Sequence, residues 1–300
     1  PTIPFSDLSK SNSPIPSGSL VAGKYHLLQR LGQGGMGEVW KAEQLHPVKR
    51  TAALTLIKNG MNSQAFLSRF EAERQALALM DHQHIAKVLD AGATEHGDPF
   101  FVMEYVQGQP LTDYCDSNNL SIPQRLQLFM DICSAVQHAH QKGVIHRDLK
   151  PGNILVGESD GKPIVKVIDF GLAKALNDPK LLSDQTIETH AGVMLGTPLY
   201  MAPEQAGAAN PFDIDTRADV YALGVILYEL LTGTTPIEKA FAKHLSYEEI
   251  RRVVIEKEPP RPSVRLLSLK TPESVAALRG IESSRLSSIL AGDLDWVVMK

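Results

Sequence analysis

Residues 217–232, RADVYALGVILYELLT, are apolar on almost every side of the helix that their spacing predicts. A helix of this kind must be surrounded by other elements, so it is expected at the centre of a large domain, with Gly233 capping its C-terminus. The run is interrupted by Gly224 and Glu229 and is too short to span a bilayer. With 43% hydrophobic residues among 300, the chain has enough apolar mass for one large domain or two lobes.

Composition excludes several classes of protein. Thirty Lys and Arg against 34 Asp and Glu give a formal charge of -4, so the global balance does not indicate nucleic acid or an anionic membrane surface as the main partner. The two cysteines, Cys115 and Cys133, lack a metal-ligand spacing and are predicted to be reduced, partly buried thiols of a cytosolic protein. Disorder, collagen-like repeats and a disulfide scaffold are excluded.

The pattern along the chain predicts an α+β protein. Residues 1–22 are rich in Ser and Pro and are expected to form a flexible leader. Three short apolar stretches between residues 25 and 57 predict an antiparallel meander, and residues 85–106 return to strand character. Helical patterns follow. We therefore expect a β-rich N-terminal lobe over 23–106, a hinge near 104–108 and a mainly helical C-terminal lobe over 107–300.

Two segments show an apolar stripe at helical spacing. In residues 64–80 the stripe consists of Phe66, Phe70, Glu73, Leu77 and Met80. In residues 121–141 it consists of Leu126, Phe129, Met130, Cys133 and Val136. One member of the first stripe is a carboxylate, so a charged group is expected on a buried helix face.

The last part of the chain carries a Pro- and Arg-rich connector, and residues 273–291 after it are predicted to form one helix with a broken apolar stripe. We predict a surface insertion over about 258–292 and prefer it to a docking site, because polar Pro-rich connectors usually have no partner. The chain begins at Pro1 and ends inside an apolar stretch at Lys300, so we interpret it as a fragment with an incomplete C-terminal lobe.

The turn after the first long predicted strand reads GQGGMGEV, residues 32–39, a GxGxxGxV pattern. Glycines let backbone N–H groups approach phosphate oxygens without a Cβ in the way, although Gly-rich hairpins also occur for purely steric reasons. The pattern lies between two predicted strands and no helix follows at once. This arrangement argues against the dinucleotide fingerprint and the Walker A loop.

A more specific signal is VIHRDLKPGN, residues 144–153, which is followed by Asp169-Phe170-Gly171. A carboxylate that orients a hydroxyl, a lysine two residues later, and an amide and a second carboxylate that bind Mg²⁺ through oxygen are the groups that phosphoryl transfer needs. The segment GTPLYMAPE, residues 196–204, comes next. With these motifs in this order, residues 23–240 resemble a protein kinase of the eukaryotic type, specifically the bacterial serine/threonine kinases.

The resemblance implies a bilobal kinase fold, ATP and Mg²⁺ as cofactors, and a role for each matching residue. Asp148 is the implied catalytic base, Lys150 neutralises the transferring phosphoryl group, and Asn153 and Asp169 hold Mg²⁺. The implied nucleotide-binding residues are Gly32, Gly34, Gly37, Val39, Ala53, Thr55, Glu73, Met103, Glu104, Val106 and Leu155. Thr186 and Thr189 are the implied phosphorylation sites of an activation loop, with an unregulated loop as the alternative.

One position departs from the family pattern. In AALTLIK, residues 52–58, the ATP-binding lysine would stand at position 55, where this chain has threonine. Lys58 is expected on the opposite face of the strand, and Lys41 on the preceding strand is a conceivable substitute. Losing a preorganised charge at the phosphates should cost about 3 kcal/mol or more, or about 10²-fold in rate. Glu73 would then lack its cation, so we expect the 64–80 helix to swing outward or Glu73 to find other donors.

We therefore expect a serine/threonine protein kinase that uses Mg-ATP and is impaired by Thr55. The alternative is a nucleotide-binding pseudokinase or signalling scaffold without significant phosphotransfer. The expected partners are ATP, proteins that present Ser or Thr, and a second kinase domain for autophosphorylation, but not nucleic acid. The expected location is the cytoplasm, either as a free protein or as the cytosolic module of a longer, membrane-anchored protein.

The chain has ten histidines, and the pairs His82/His84 and His138/His140 invite a metal-site hypothesis. Two rings at i and i+2 on a helix diverge, so we favour structural roles for these pairs. His146 is predicted to be a core histidine.

Overall fold

A computed structural model describes residues 16–33, 37–57, 75, 77, 79–95, 97–170, 198–207, 214–242, 244–269 and 271–300. The described residues form two compact units. The first comprises those within 1–60 and 90–105, and the second those within 61–89 and 106–300. The change after Tyr105 falls inside the predicted hinge segment, whereas residues within 61–89 group with the second unit although the sequence pattern places them in 23–106.

The first unit is built on one sheet. Its strands are β1 (Leu20–Val21), β2 (Tyr25–Gln33), β3 (Gly37–Gln44), β4 (Arg50–Ile57), β5 (Val88–Ala93) and β6 (Pro99–Glu104). They lie in the order β1-β2-β3-β4-β6-β5, and the pairs from β1 to β4 and from β4 to β6 are antiparallel. The predicted meander over 25–57 and the strands within 85–106 are therefore confirmed.

The fold begins earlier in the chain than the predicted leader over 1–22 allows. Residues 1–15 lie outside the described part, but Leu20 and Val21 pair with His26 and Tyr25, and Val21 is buried. The backbone N–H of Gly18 also donates to Leu27 O at 2.8 Å. Residues 16–22 therefore belong to the fold, because they close the free edge of β2.

The second unit combines a small sheet with helices. Its strands are β7 (Gln109–Pro110), β8 (Ile154–Ser159) and β9 (Lys162–Val167), in that order. Its helices are α1 (Leu111–Ser117), α2 (Ile122–Gln141), α3 (Pro203–Gly207), α4 (Arg217–Thr232), α5 (Lys239–Ala242), α6 (Tyr247–Glu256), α7 (Pro262–Ser268), α8 (Pro272–Ala277), α9 (Ser283–Leu290) and α10 (Asp293–Met299). Short 3₁₀ turns cover Pro151–Asn153 and Pro198–Tyr200.

Helix α4 occupies the centre of the second unit, as its composition predicts. Twelve of its sixteen residues are buried. The helix ends at Gly233, which has a φ of 74° and donates its N–H to Glu229 O. Only glycine adopts this left-handed conformation without strain, so the predicted C-cap is confirmed.

Helix α2 corrects the predicted stripe over 121–141. The exposed fraction of Met130 is 55%, whereas Arg125 is 1% exposed. The Arg125 guanidinium donates to the carbonyl oxygens of Cys115, Leu120 and Leu278 and lies 2.8 Å from Asp116. These acceptors compensate the burial of a charge, so Arg125 lies on the buried face of α2 and Met130 on the exposed face.

The segment 258–292 also differs from its prediction. Leu266, Leu286 and Leu290 are fully buried and pack in one cluster with Leu227 and Leu231 of α4. The single predicted helix over 273–291 is divided into α8 and α9. The expectation that this segment lies at the surface is therefore wrong, because its leucines cover apolar side chains of α4 that would otherwise be exposed.

Within the described ranges, no helix is both long enough and apolar enough to cross a membrane.

Candidate active site

The glycine-rich turn is set by the pairing of β2 with β3 and of β3 with β4. Gly32 lies opposite Val39, and Gly37 lies opposite Ile57. Gly37 has a φ of 154°, and a Cβ at this position would collide with the backbone of Leu56. A glycine is therefore required here by the close approach of two strands. Gly34 lies outside the described residues.

Four of the implied nucleotide-binding residues share one face of the sheet. Thr55 lies opposite both Val39 and Phe101, and Ala53 lies opposite Met103. Directly opposed residues in antiparallel strands point to the same face, and so do residues two positions apart on one strand. The register therefore places Val39, Ala53, Thr55 and Met103 together.

Thr55 is buried, and its Oγ1 has no hydrogen-bond partner among the described residues. Lys41 lies opposite Ala53 on the same face, but its Nζ is 4.8 Å from the centre of the Tyr105 ring. Phe101 faces Thr55, and Tyr105 lies four residues further along the chain. Four residues of strand span about 13 Å, so the Lys41 amino group at Tyr105 is about this far along the strand from Thr55. Lys41 is therefore directed away from the position of the missing lysine. Lys58 lies outside the described residues.

The remaining nucleotide-binding candidates occupy separate elements. Glu104 ends β6, and Val106 follows in the segment that begins the second unit. Leu155 is half-buried on β8, opposite Pro110 and Lys166. Glu73, with the helix predicted over 64–80, falls mostly outside the described residues, as do Thr186 and Thr189.

The segment before Asp148 is held from helix α4. Asp219 Oδ2 accepts a hydrogen bond from the backbone N–H of His146, and Oδ1 accepts one from that of Arg147, each at 2.8 Å. His140 Nε2 is also 2.8 Å from Asp219 Oδ2. Burial alone would raise the pKa of Asp219, but these hydrogen bonds and the charge of His146 hold it below its usual range. Asp219 is therefore the anchor of this segment.

His146 is fully buried, which confirms its prediction as a core histidine. Its Nε2 is 3.0 Å from Ile168 O, and its ring centre is 4.7 Å from that of Phe170. Arg147 and Asp169 have φ values of 68° and 61°, a conformation that non-glycine residues rarely adopt. Strained residues that flank a tightly bonded histidine are typical of functional sites.

Asp148 is surrounded by donors. Lys150 Nζ donates to Asp148 Oδ2 at 2.7 Å, and Asn153 Nδ2 donates to the same oxygen at 3.1 Å and to Asp148 O at 2.8 Å. Within the described part of the chain, Asp148 Oδ1 accepts no hydrogen bond. The side chain of Asp148 is 47% exposed, so the described residues do not enclose its carboxylate.

Asn153 and Asp169 fit a magnesium ion. Both N–H groups of the Asn153 amide are used on Asp148, which leaves its Oδ1 as an acceptor for a cation. Burial raises the pKa of Asp169, and the charge of Asp148 adds to this effect while His146 and Lys150 oppose it. A divalent cation would stabilise the charged form of such a carboxylate, and amide and carboxylate oxygens are ligands that Mg²⁺ prefers.

Sequence reasoning missed the roles of Asp219 and His140. Asp219 is a carboxylate inside an almost wholly apolar predicted helix, and a buried acid of this kind requires donors from other elements. The presence of a carboxylate in an otherwise apolar pattern is the sequence signal that marks Asp219. No equivalent signal marks His140, because its partner is 79 positions away in the chain.

Comparison with known proteins identifies the family. The family described as protein kinase domain matches residues 25–292. The chain belongs to the protein kinase family. It is 39% identical over 243 residues to the serine/threonine-protein kinase Pkn1 of Myxococcus xanthus, which covers 80% of this chain and 33% of that protein. It is 34% identical over 267 residues to the serine/threonine-protein kinase PknB of Mycobacterium tuberculosis, which covers 88% of this chain and 40% of that protein.

A solved structure shows the same fold. The crystal structure of the Mycobacterium tuberculosis PknI kinase domain has a TM-score of 0.58 and 25% identity, and the match covers 92% of this chain and 98% of that chain. The expected resemblance to bacterial serine/threonine kinases and the expected kinase fold are therefore confirmed. This kinase domain spans 33% and 40% of the length of the two curated relatives.

Proposed function

We propose that this kinase domain transfers the γ-phosphoryl group of Mg-ATP to Ser or Thr hydroxyls of proteins, at a rate lowered by Thr55. The observation that carries the proposal is the arrangement of Asp148, with one carboxylate oxygen bonded to Lys150 and Asn153 and the other without a hydrogen bond from the described residues, on a side chain that is 47% exposed. The names of the relatives as serine/threonine-protein kinases support the substrate class.

Each residue of this arrangement has a distinct task. Asp148 Oδ1 orients the attacking hydroxyl and accepts its proton, while Lys150 and Asn153 keep the carboxylate in place. Lys150 also stabilises the negative charge of the phosphoryl group. Asn153 and Asp169 would hold Mg²⁺, which supplies charge neutralisation at the phosphates when it is bound.

The nucleotide would contact the sheet face that carries Val39, Ala53, Thr55 and Met103, with Gly32, Gly34 and Gly37 at the phosphates. Glu104 and Val106 would offer backbone groups to the adenine, and Leu155 an apolar contact. Glu73 as the partner of the strand lysine, and Thr186 and Thr189 as phosphorylation sites, remain predictions. So does a second copy of the domain as the partner for autophosphorylation.

A second candidate function rests on Thr55. Its buried hydroxyl is short, uncharged and unpartnered within the described residues, and Lys41 points to the other end of the sheet face. The phosphates would therefore lack a preorganised cation from this strand, which costs about 10²-fold in rate or more. A domain that binds nucleotide and signals without significant phosphotransfer is the alternative.

The test is phosphotransfer from radiolabelled ATP to a generic basic protein, for this chain and its Thr55→Lys variant. We expect the variant to be at least about 10²-fold faster in kcat/KM. The matched control is Thr51→Lys, which adds the same charge at an exposed position of β4. Equal rates for the chain and Thr55→Lys would refute the impairment by Thr55.

The two candidate functions are separated by residual activity and nucleotide affinity. Transfer by the unaltered chain that Asp148→Asn abolishes would support the impaired kinase. ATP binding without any such transfer, also in Thr55→Lys, would support the pseudokinase.

A further inference from the structure

The side chain of Gln205 joins two segments of the second unit. Its Oε1 accepts the backbone N–H of Ala202 at 3.0 Å, and its Nε2 donates to the carbonyl oxygen of Arg147 at 2.9 Å. Arg147 is 58 positions away in the chain and immediately precedes Asp148. The amide group is therefore used at both ends, once within its own segment and once on the segment that carries Asp148.

The bond to Ala202 stabilises the start of a helix. Gln205 is the third residue of α3 and Ala202 directly precedes that helix, so this bond is the half of a capping box that a Gln or Glu side chain supplies. At the same position of their helices, Gln124 of α2 and Glu249 of α6 accept the backbone N–H of the residue before the helix. Glutamate and glutamine both serve this purpose in the present chain.

The bond to Arg147 requires an amide. The carbonyl oxygen of Arg147 is an acceptor and needs a donor, whereas the N–H of Ala202 is a donor and needs an acceptor. Gln205 meets both requirements in one orientation. A glutamate at this position would keep the bond to Ala202 but would place a carboxylate oxygen against the carbonyl oxygen of Arg147. The choice of glutamine over glutamate therefore matters for the contact with Arg147 and not for the cap.

The carbonyl group that Gln205 holds belongs to the peptide unit that leads into Asp148. Arg147 has a φ of 68°, a conformation that a non-glycine residue keeps only when its surroundings fix it. Its N–H donates to Asp219 Oδ1 at 2.8 Å. On the other side of the peptide unit, the N–H of Asp148 donates to His146 Nδ1 at 3.3 Å. Because a peptide unit is planar, contacts at its carbonyl and its N–H together fix the position of Asp148 Cα.

We propose that Gln205 is a positioning residue for phosphoryl transfer, which holds the Arg147 carbonyl and so fixes the backbone from which Asp148 reaches the attacking hydroxyl. This inference rests on the proposed role of Asp148 as the base. Gln205 acts through the backbone and not on the reacting atoms, so its loss should lower kcat and leave ATP binding unchanged. A displacement of about 1 Å in a catalytic group can cost about 10²-fold in rate, and we expect a loss of at least about tenfold here.

The first test is phosphotransfer from radiolabelled ATP to a generic basic protein by Gln205→Glu in the Thr55→Lys background. We expect kcat to fall at least about tenfold and the KM for ATP to stay within about twofold of the value without the Gln205 substitution. The urea midpoint of unfolding should change little, because the bond to Ala202 N–H is kept. The matched control is Gln124→Glu, which makes the same chemical change at the same capping position of α2 and should leave kcat unchanged.

A second measurement does not require phosphotransfer. Amide hydrogen exchange of the full chain is followed on peptides that contain residues 146–148, whose N–H groups donate to Asp219 and His146. We expect Gln205→Glu to lower the protection of these amides about tenfold, because a hydrogen bond is lost and two oxygen atoms are brought together. Gln124→Glu should leave this protection unchanged.

The outcomes separate this inference from the proposed function. Unchanged protection of residues 146–148 in Gln205→Glu would overturn the inference, and so would reduced protection with an unchanged kcat. If Thr55→Lys shows no transfer that Asp148→Asn abolishes, the proposed function fails instead. Hydrogen exchange then still decides whether Gln205 holds the backbone before Asp148.

Discussion

Replacing Arg279 by methionine should strongly destabilise the second unit. Arg279 follows α8, is 2% exposed, and donates to the carbonyl oxygens of Leu231, Leu230 and Val275 at 2.9, 2.8 and 3.0 Å. Two of these acceptors belong to the last turn of α4, whose carbonyl groups have no partner inside the helix. The guanidinium therefore caps the central helix from the segment that the sequence pattern assigns to the surface.

The magnitude follows from two opposing contributions. Each hydrogen bond from a charged donor contributes about 1.5–3 kcal/mol, so three bonds contribute about 4.5–9 kcal/mol. Burial, and next the charge of Arg125, lower the pKa of Arg279 to about 10, which shows that the fold disfavours the charged form. A lowering from 12.5 to about 10 corresponds to roughly 3.4 kcal/mol. We therefore expect Arg279→Met to lower the free energy of unfolding by about 3 kcal/mol.

The assay is urea unfolding followed by far-UV circular dichroism, with the denaturant slope compared between proteins. Arg285→Met is the matched control, because Arg285 on α9 is exposed and its loss should change the free energy of unfolding by less than about 0.5 kcal/mol. Arg279→Lys keeps the charge but loses the planar guanidinium, so its free energy of unfolding should lie between those of the wild type and Arg279→Met. A loss below about 1 kcal/mol in Arg279→Met would show that relief of the buried charge cancels the three hydrogen bonds, and would refute the capping role.

Four further predictions concern the candidate site. Asp148→Asn in the Thr55→Lys background should abolish phosphotransfer and leave ATP affinity within about twofold by calorimetry, because the base does not hold the phosphates; a large loss of affinity would show that Asp148 is misassigned. Thr55→Val should stabilise the first unit by about 1 kcal/mol in thermal unfolding, because it removes a buried hydroxyl without a partner among the described residues. Gly37→Ala should cost about 2 kcal/mol or more, because its Cβ meets the backbone of Leu56, whereas Gly152→Ala, with open space around it and no positive φ, should cost less. The pKa of Asp219 is lowered in the folded state, so its carboxylate contributes stability that is complete above about pH 4 and is lost as the pH falls through the folded pKa. The free energy of unfolding of Asp219→Asn should therefore depend less on pH in this range than that of the wild type.

Much of the candidate site was predictable from local sequence. The segment 144–153 is continuous, so the contacts of Asp148 with Lys150 and Asn153 arise within six positions of the chain. The alternation of a strand placed Thr55 on the face that Val39 and Met103 share, once the three strands are paired in register. The direction of Lys41 was not predictable, because it depends on the ring of Tyr105, 64 positions later.

The order of the elements, the central position of α4 and the family follow from the amino-acid sequence alone. A helix that is apolar on almost every side is not stable when exposed to water, and strand alternation is a property of the backbone, so neither depends on distant contacts. The burial of Arg125 and Arg279, the exposure of Met130 and the contact of His138 with His82 depend instead on how distant segments pack. A long charged side chain can be buried only where other groups, here carbonyl groups of other elements, accept its hydrogen bonds. For Arg279 those groups lie 48 and 49 positions away, beyond the reach of any periodicity in the sequence.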